Sequence, residues 1–172
     1  LNYMPELPEV EVVKKSLESK LINLTIKSVF ISNNKLRYKI DNKQFNKIKN
    51  QKVVSIQRRS KYLLINLKKN FTILAHLGMT GKFFVIDNNK KHKTSFYYAL
   101  KKNDSKHDHI TFFFNKKIKL IYNDVRRFGF IKIYSNKSVL NSEHLAALGP
   151  EPLSSNFNLS YFDKYILNKK KN

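Results

Sequence analysis

The 172-residue chain contains no cysteine. Disulfides and thiolate zinc sites are therefore excluded from its architecture. No apolar run reaches the ~18 residues needed to cross a bilayer. The opening residues are acidic and broken by proline, unlike a secretory leader. These absences predict a cytoplasmic protein with no membrane partner. Acidic residues are also scarce: 12 Asp and Glu face 34 Lys and Arg, a formal net charge of +22 with a pI near 10.1. Arginine is a small minority of the cations, confined to Arg37, Arg58, Arg59, Arg126 and Arg127. Such a charge suits a polyanion, nucleic acid above all. A general lysine bias would raise the charge without one.

What is present supports a real core. Hydrophobic content is 41 % and aromatic content 13 %. The length fits one good-sized domain, or one domain and the start of another. Val10, Val13, Leu17 and Leu21 recur at spacings of three and four, which predicts a helix from Pro8 to about Leu21. From Leu24 the period changes to two. Strands are expected from there through Asn33-Asn34, at Leu36–Ile40, Lys52–Arg58, Tyr62–Leu67, Phe71–His76, Lys82–Ile86, His109–Phe114, Lys117–Tyr122 and Phe130–Tyr134. Lys68-Lys69-Asn70 and Asn115-Lys116 read as hairpin connections. So many short strands in series argue for a β-sandwich or barrel. Asp87–Asp108 is polar apart from Phe96-Tyr97-Tyr98-Ala99-Leu100 and reads as an insertion or hairpin. Ser142–Leu145 is expected to open a short helix stopped by Gly149-Pro150, and Leu159 to about Lys169 another.

The chain is organised around Met4-Pro5-Glu6-Leu7-Pro8-Glu9-Val10-Glu11. If translation starts at Met4 and the methionine is removed, Pro5 carries a secondary amine. Such an amine attacks an aldehyde-like carbon and forms an iminium that acts as an electron sink. Glu6 beside it can shuttle protons. The same residues equally suit a stiff lead-in to a helix, with Pro8 in its first turn.

Four further stretches carry chemistry. Arg58, Arg59 and Lys61 flank the start of an apolar strand, where they could grip phosphates or simply be a solvated strand end. In His76-Leu77-Gly78-Met79-Thr80-Gly81 two glycines make a tight turn that pushes Met79 outward, able to wedge into a base stack or to fill core. His76 alone reads as a satisfied structural histidine. Lys106-His107-Asp108-His109 could ligate metal, although a phosphate contact or a turn network suits it better. Asp124-Val125-Arg126-Arg127-Phe128-Gly129 sets guanidiniums and a ring on a hairpin end, suited to pairing with and stacking on an orphaned base, or to an ordinary turn over a buried ring.

Together, and with Leu148-Gly149-Pro150-Glu151-Pro152-Leu153, these stretches resemble the bacterial formamidopyrimidine-DNA glycosylase family (Fpg, or MutM). Leu7 favours this branch over the related endonuclease VIII branch, which usually has glycine there. The resemblance implies a mainly β fold with flanking helices (α+β). An N-terminal helix and a two-sheet β-sandwich would occupy 1–136, and a linker with the first helices of a helix-two-turn-helix domain 137–172. It also implies roles. Pro5 would attack C1′ of the damaged nucleotide, Glu6 would donate a proton, and Lys61 would serve β-elimination. His107, Arg126 and Lys169 would bind DNA. Met79, Arg126 and Phe128 would fill the gap left by the flipped nucleotide, since the glycosidic bond is unreachable inside the stack. The partner implied is double-stranded DNA with oxidised purines, such as 8-oxoguanine and formamidopyrimidines, or with abasic sites, bound by a monomer. No cofactor is expected in this chain. The family binds one zinc ion through a C-terminal finger, which also carries the arginine assigned to δ-elimination.

Leu1-Asn2-Tyr3 precede Met4, so the chemistry requires that Met4 be the true start. The chain is expected to be a fragment that stops where the helical domain begins, weakly active or inactive by itself. The alternatives are a non-catalytic damaged-DNA-binding module and, less compatible with the motifs, a generic RNA-associated basic β-protein.

Overall fold

The computed structural model describes residues 6–32, 35–96 and 105–167. Its first element is helix α1, Leu7–Leu21. Glu6 is the N-cap, and its backbone N–H donates to Glu9 Oε2 at 3.1 Å. Proline in the first turn loses no intrahelical bond, and Lys20 in the last turn complements the helix dipole. Val10, Val13, Leu17 and Leu21 are all buried, each contributing about 1.5–3 kcal/mol on burial.

The strands are β1 Ile26–Ile31, β2 Val53–Arg59, β3 Tyr62–Leu67, β4 Phe71–His76, β5 Gly81–Asp87, β6 Lys90–Lys93, β7 Asp108–Phe114, β8 Lys119–Asp124 and β9 Phe130–Ser135. Between β1 and β2 lies a short helix, α2, Asn42–Asn46, and the described residues end in α3, Leu159–Leu167. Two antiparallel sheets result, one ordered β1-β7-β8-β5-β6 and the other β2-β3-β4-β9. Ile26, Phe83, Ile110, Phe112 and Tyr122 from the first share one buried cluster with Ile56, Leu63, Ile65, Ile73 and Ile131 from the second. The stripe of α1 joins that cluster, so the helix is seated on the sandwich and its start is held in place. The outer face of the four-stranded sheet is covered by the segment 137–148, whose Val139 and Leu145 pack on Leu64, Leu74 and Phe130.

The α+β reading with a two-sheet sandwich holds, as do α1 and nearly all the strands. Two local expectations fail and a third is met. Leu36–Ile40 forms no strand; a single bridge, Lys35 to Lys39, marks a turn there, and Ile40 drops into the core. The alternation was real, but Asp41 directly after it caps α2, so the chain turns into a helix before a ladder can form. Ser142–Leu145 makes hydrogen-bonded turns rather than a helix, with Val139 and Leu145 both packed on the four-stranded sheet. The hairpin alternative for the segment from Asp87 is the one formed: the all-polar Lys90–Lys93 is an edge strand, β6, paired with β5, and an edge strand needs no apolar face. The turn before it, Asn88-Asn89, has both residues at positive φ (47° and 61°), the asparagine chemistry of a tight hairpin. Pro5, Lys169 and residues 97–104 lie outside the described residues.

Candidate active site

Asp124, the last residue of β8, is fully buried and organises one end of the sandwich. Its carboxylate accepts from the Thr80 hydroxyl at 2.5 Å, the Gly129 backbone N–H at 2.9 Å and the Tyr122 hydroxyl at 3.4 Å. Thr80 Oγ1 in turn accepts from the Arg126 backbone N–H at 3.0 Å. The turn carrying Met79 and the loop carrying Arg126 and Phe128 are thereby fastened together. Glycine makes the approach possible. Gly78 sits at φ +60°, and a Cβ there would lie 2.5 Å from Gly129 N and 2.6 Å from the Phe128 carbonyl carbon. Arg127 also takes a positive φ of 57°, which turns the loop back. Met79 is half-buried, while Arg126 and Phe128 are exposed. The Arg126 guanidinium lies 4.6 Å from the Phe128 ring centroid, a cation–π contact on an open surface.

His107 reaches the same end through its neighbour. Asp108 opens β7 and pairs with Asn123, whose Nδ2 donates to Asp108 Oδ1 at 2.7 Å. His109 is buried, with Nε2 2.8 Å from the Asp124 carbonyl oxygen, which makes that nitrogen the donor. The turn-network reading of this segment is therefore the one realised by His109. Among the described residues no group of three or more His, Asp or Glu is placed to hold a metal, and the chain has no cysteine. The resemblance places the family's zinc in a C-terminal finger and none among these residues.

Lys61 lies in the two-residue connection between β2 and β3, with Ser60 at φ +52°. Tyr62 pairs with His76, so this connection stands beside the turn that carries Met79. The Lys61 charge is felt at His76, whose pKa is pushed down to about 4, first by burial and then by Arg37 and Lys61. His76 Nδ1 accepts from the Gly78 N–H at 3.1 Å, the structural role expected of it.

The reading of Arg58 and Arg59 as phosphate grips is not realised, because carboxylates occupy both. Arg58 Nε donates to Glu11 at 2.8 Å and its Nη1 to Glu151 at 3.1 Å. Arg59 Nη1 donates to the same Glu151 at 3.0 Å, and its Nη2 to the Leu148 carbonyl at 3.2 Å. Glu151 Oε1 also accepts from the Ser60 N–H at 2.7 Å. Burial raises the Glu151 carboxyl, but these donors outweigh it and hold its pKa below the ordinary value. One network thus joins α1, the Lys61 connection and the Gly149-Pro150-Glu151 segment. Glu11 lies five residues beyond Glu6 on α1, about 7.5 Å along the axis, so the helix start is fixed near Lys61.

The structure accordingly collects Lys61, Met79, His107, Arg126 and Phe128 at one end of the sandwich, with Glu6 exposed at the start of α1. Sequence reasoning missed Asp124 as organiser and Glu151 as clamp. Both stood inside motifs already noted, Asp-Val-Arg-Arg-Phe-Gly and Leu-Gly-Pro-Glu-Pro-Leu, as the carboxylates among cations and turns.

A seated helix, a two-sheet sandwich and a glycine-fastened pair of turns bearing Met, Arg and Phe define a basic, loop-presented site. The chain belongs to the formamidopyrimidine-DNA glycosylase family: residues 4–131 match the Formamidopyrimidine-DNA glycosylase N-terminal domain. It is 42 % identical over 167 residues to the formamidopyrimidine-DNA glycosylase of Rickettsia bellii, covering 97 % of this chain and 56 % of that protein. To that of Rhodopseudomonas palustris it is 33 % identical over 166 residues, covering 96 % and 57 %. The chain spans about half the length of the curated relatives it matches. Its fold also matches Lactococcus lactis Fpg in complex with abasic-site DNA, with a TM-score of 0.76 and 28 % identity over 95 % of this chain and 57 % of that one. The same enzyme bound to N7-benzyl-Fapy-dG DNA matches with a TM-score of 0.76, 28 % identity, and 95 % and 56 % coverage.

Proposed function

We propose that the chain supplies the catalytic half of a bifunctional DNA glycosylase and abasic-site lyase acting in base-excision repair on oxidised purines. The observation that carries this reading is the convergence of the Lys61 connection, the Met79 turn and the Arg126–Phe128 loop at one end of the sandwich.

In this reading the damaged nucleotide leaves the stack, and Met79, Arg126 and Phe128 fill the gap. His107, Arg126 and Lys169 hold backbone phosphates. The Pro5 amine attacks C1′, the glycosidic electron pair leaves with the base, and Glu6 serves the proton transfers. The amine then loses its proton and the sugar ring opens, the C1′–O4′ electron pair leaving with O4′ as Glu6 protonates it, and the iminium so formed acidifies the C2′ proton. Its loss breaks the C3′–O bond and releases the 3′ phosphate, with Lys61 assisting beside the backbone. The order demands that Pro5 be the first residue, because an amide nitrogen has no free lone pair for the attack. No step is routed through a metal.

The test uses a chain whose first residue is Pro5, a duplex with one abasic site, and borohydride. An adduct seen by mass spectrometry, and lost after acetylation of the N-terminus, supports the reading. No adduct while the duplex is still bound assigns the chain a DNA-binding role without chemistry.

A further inference from the structure

Strand β9 pairs with β4 on one side only and is an edge of its sheet. The register fixes which of its backbone groups point outward. Asn136 N–H donates to the Asn70 carbonyl at 2.9 Å, one step beyond the pair Phe71–Ser135. Hydrogen-bonded pairs alternate in an antiparallel ladder, so Tyr134, Lys132 and Phe130 bond inward to β4. The N–H and C=O groups of Ile131 and Ile133 face away from the sheet. They open onto a groove of about 510 Å³ between β9 and α2, lined by Lys39, Ile40, Phe45, Lys47, Lys132 and Tyr134 among others. That volume lies within the ~300–1,000 Å³ of ordinary ligand clefts.

The groove differs from a plain sheet edge in two ways. Ile40 and Phe45 form an apolar wall on the core side. Its charged lining is three lysines, Lys39, Lys47 and Lys132, against the single Asp41. Asp41 is engaged as the N-cap of α2, accepting from the Lys43 N–H at 2.9 Å. Lys132 is held by Glu143 at 2.6 Å, while Lys39 and Lys47 are exposed. Exposed edges are a liability that proteins cover or use, and one recognised use is the addition of an extended peptide strand.

We infer that this groove is a docking site for an extended segment of an acidic partner protein, which adds to the β9 edge with apolar and acidic residues alternating. Main-chain bonds to Ile131 and Ile133 supply affinity. Residues on the core side of the added strand meet Ile40 and Phe45, and carboxylates meet Lys39 and Lys47. The inference is independent of the glycosylase reading, since the groove shares no residue with the Met79 and Arg126–Phe128 turns.

The test is a titration of the full chain with a fluorescein-labelled peptide of alternating glutamate and valine, followed by anisotropy and by amide NMR. Saturable binding is expected, with shifts and slowed exchange at the Ile131 and Ile133 amides. The exposed-site double variant Lys39→Glu, Lys47→Glu is expected to weaken binding about tenfold or more. An N-methylated peptide of the same sequence, which cannot form ladder bonds, is expected to bind no better than buffer controls. Equal binding of the N-methylated peptide, or of one with its glutamates and valines in separate blocks, would mean mere charge attraction and overturn the inference. So would amide shifts elsewhere, or shifts of Ile131 and Ile133 produced by oligo(dT) and not by the peptide.

Discussion

Thr80, in the turn before β5, and Asp124, at the end of β8, are joined by a hydroxyl-to-carboxylate hydrogen bond of 2.5 Å. This bond and the Gly129 N–H on the other carboxyl oxygen make one buried side chain the fastening point of two exposed loops. A buried carboxylate is stable only while its donors remain.

Asp124→Ala is expected to cost about 3 kcal/mol or more, since it strands the Thr80 hydroxyl and the Gly129 N–H together. Urea denaturation measures it. The Thr80→Val variant also strands the Arg126 N–H but leaves the Gly129 bond to Asp124 in place, so it should lose less than Asp124→Ala. Equal losses would mean that the Gly129 bond adds no more than the Arg126 bond does.

Gly78→Ala meets two obstacles at once. The positive φ and the contact with Gly129 N at 2.5 Å both oppose a methyl group. A loss of about 1–3 kcal/mol is expected from the backbone strain alone. Thermal unfolding of this variant beside Gly149→Ala separates a strained site from a general glycine effect, because Gly149 has no positive φ.

Glu151→Gln removes the shared partner of Arg58 and Arg59 while keeping its shape. Those side chains are 14 % and 26 % exposed, so solvent screens the loss only in part. A destabilisation of about 1–3 kcal/mol is expected. The folded pKa of Glu151 is depressed. Its contribution is therefore complete above the ordinary value of 4.5 and lost as pH falls through the folded value. Stability measured at pH 7 and at pH 3 should differ less for the variant than for the parent.

His76 supplies a second pH window. Its pKa falls from 6.5 to about 4 on folding. The unfolded chain then binds the proton more readily, so stability is full above pH 6.5 and declines as pH falls toward 4. His144 is shifted in the same direction, by burial and then by Lys132. His76→Asn should flatten most of the decline between pH 6.5 and 4.5, read by urea midpoints at each pH. An unchanged slope would assign the window to His144.

Phe128→Ala separates binding from folding. The ring is 45 % exposed, so stability should move by no more than about 0.5 kcal/mol. On the proposed function, affinity for an abasic duplex should fall by about 1–3 kcal/mol, the worth of one base stack. The salt dependence should be unchanged, because no phosphate contact is removed. A parallel drop for undamaged duplex would sink the gap-filling role.

Helix α1 and strands such as β3 and β4 were readable because each is specified by its own spacing. Val10, Val13, Leu17 and Leu21 form a stripe whatever they pack against, and Tyr62–Leu67 and Phe71–His76 are short apolar runs bounded by a polar turn. The motif residues Lys61, Met79, His107, Arg126 and Phe128 were also readable one by one, as residue types suited to DNA. Their gathering at one end was not, because it depends on the Tyr62–His76 and Asp108–Asn123 pairings. Leu36–Ile40 was misread for the same reason: alternation states a preference, and only a partner strand in register turns it into a strand.

The amino-acid sequence by itself determined the local elements, the charge and the family, since propensity, periodicity and motif are written within a few residues. The tertiary structure alone decided what the charges do. Arg58 and Arg59 look like phosphate ligands until Glu151, 93 and 92 residues away, arrives to take them. Asp124 looks like a turn residue until Thr80 and Gly129 converge on it. A buried carboxylate and a guanidinium must find partners or remain in water, and those partners are supplied by the fold from distant parts of the chain.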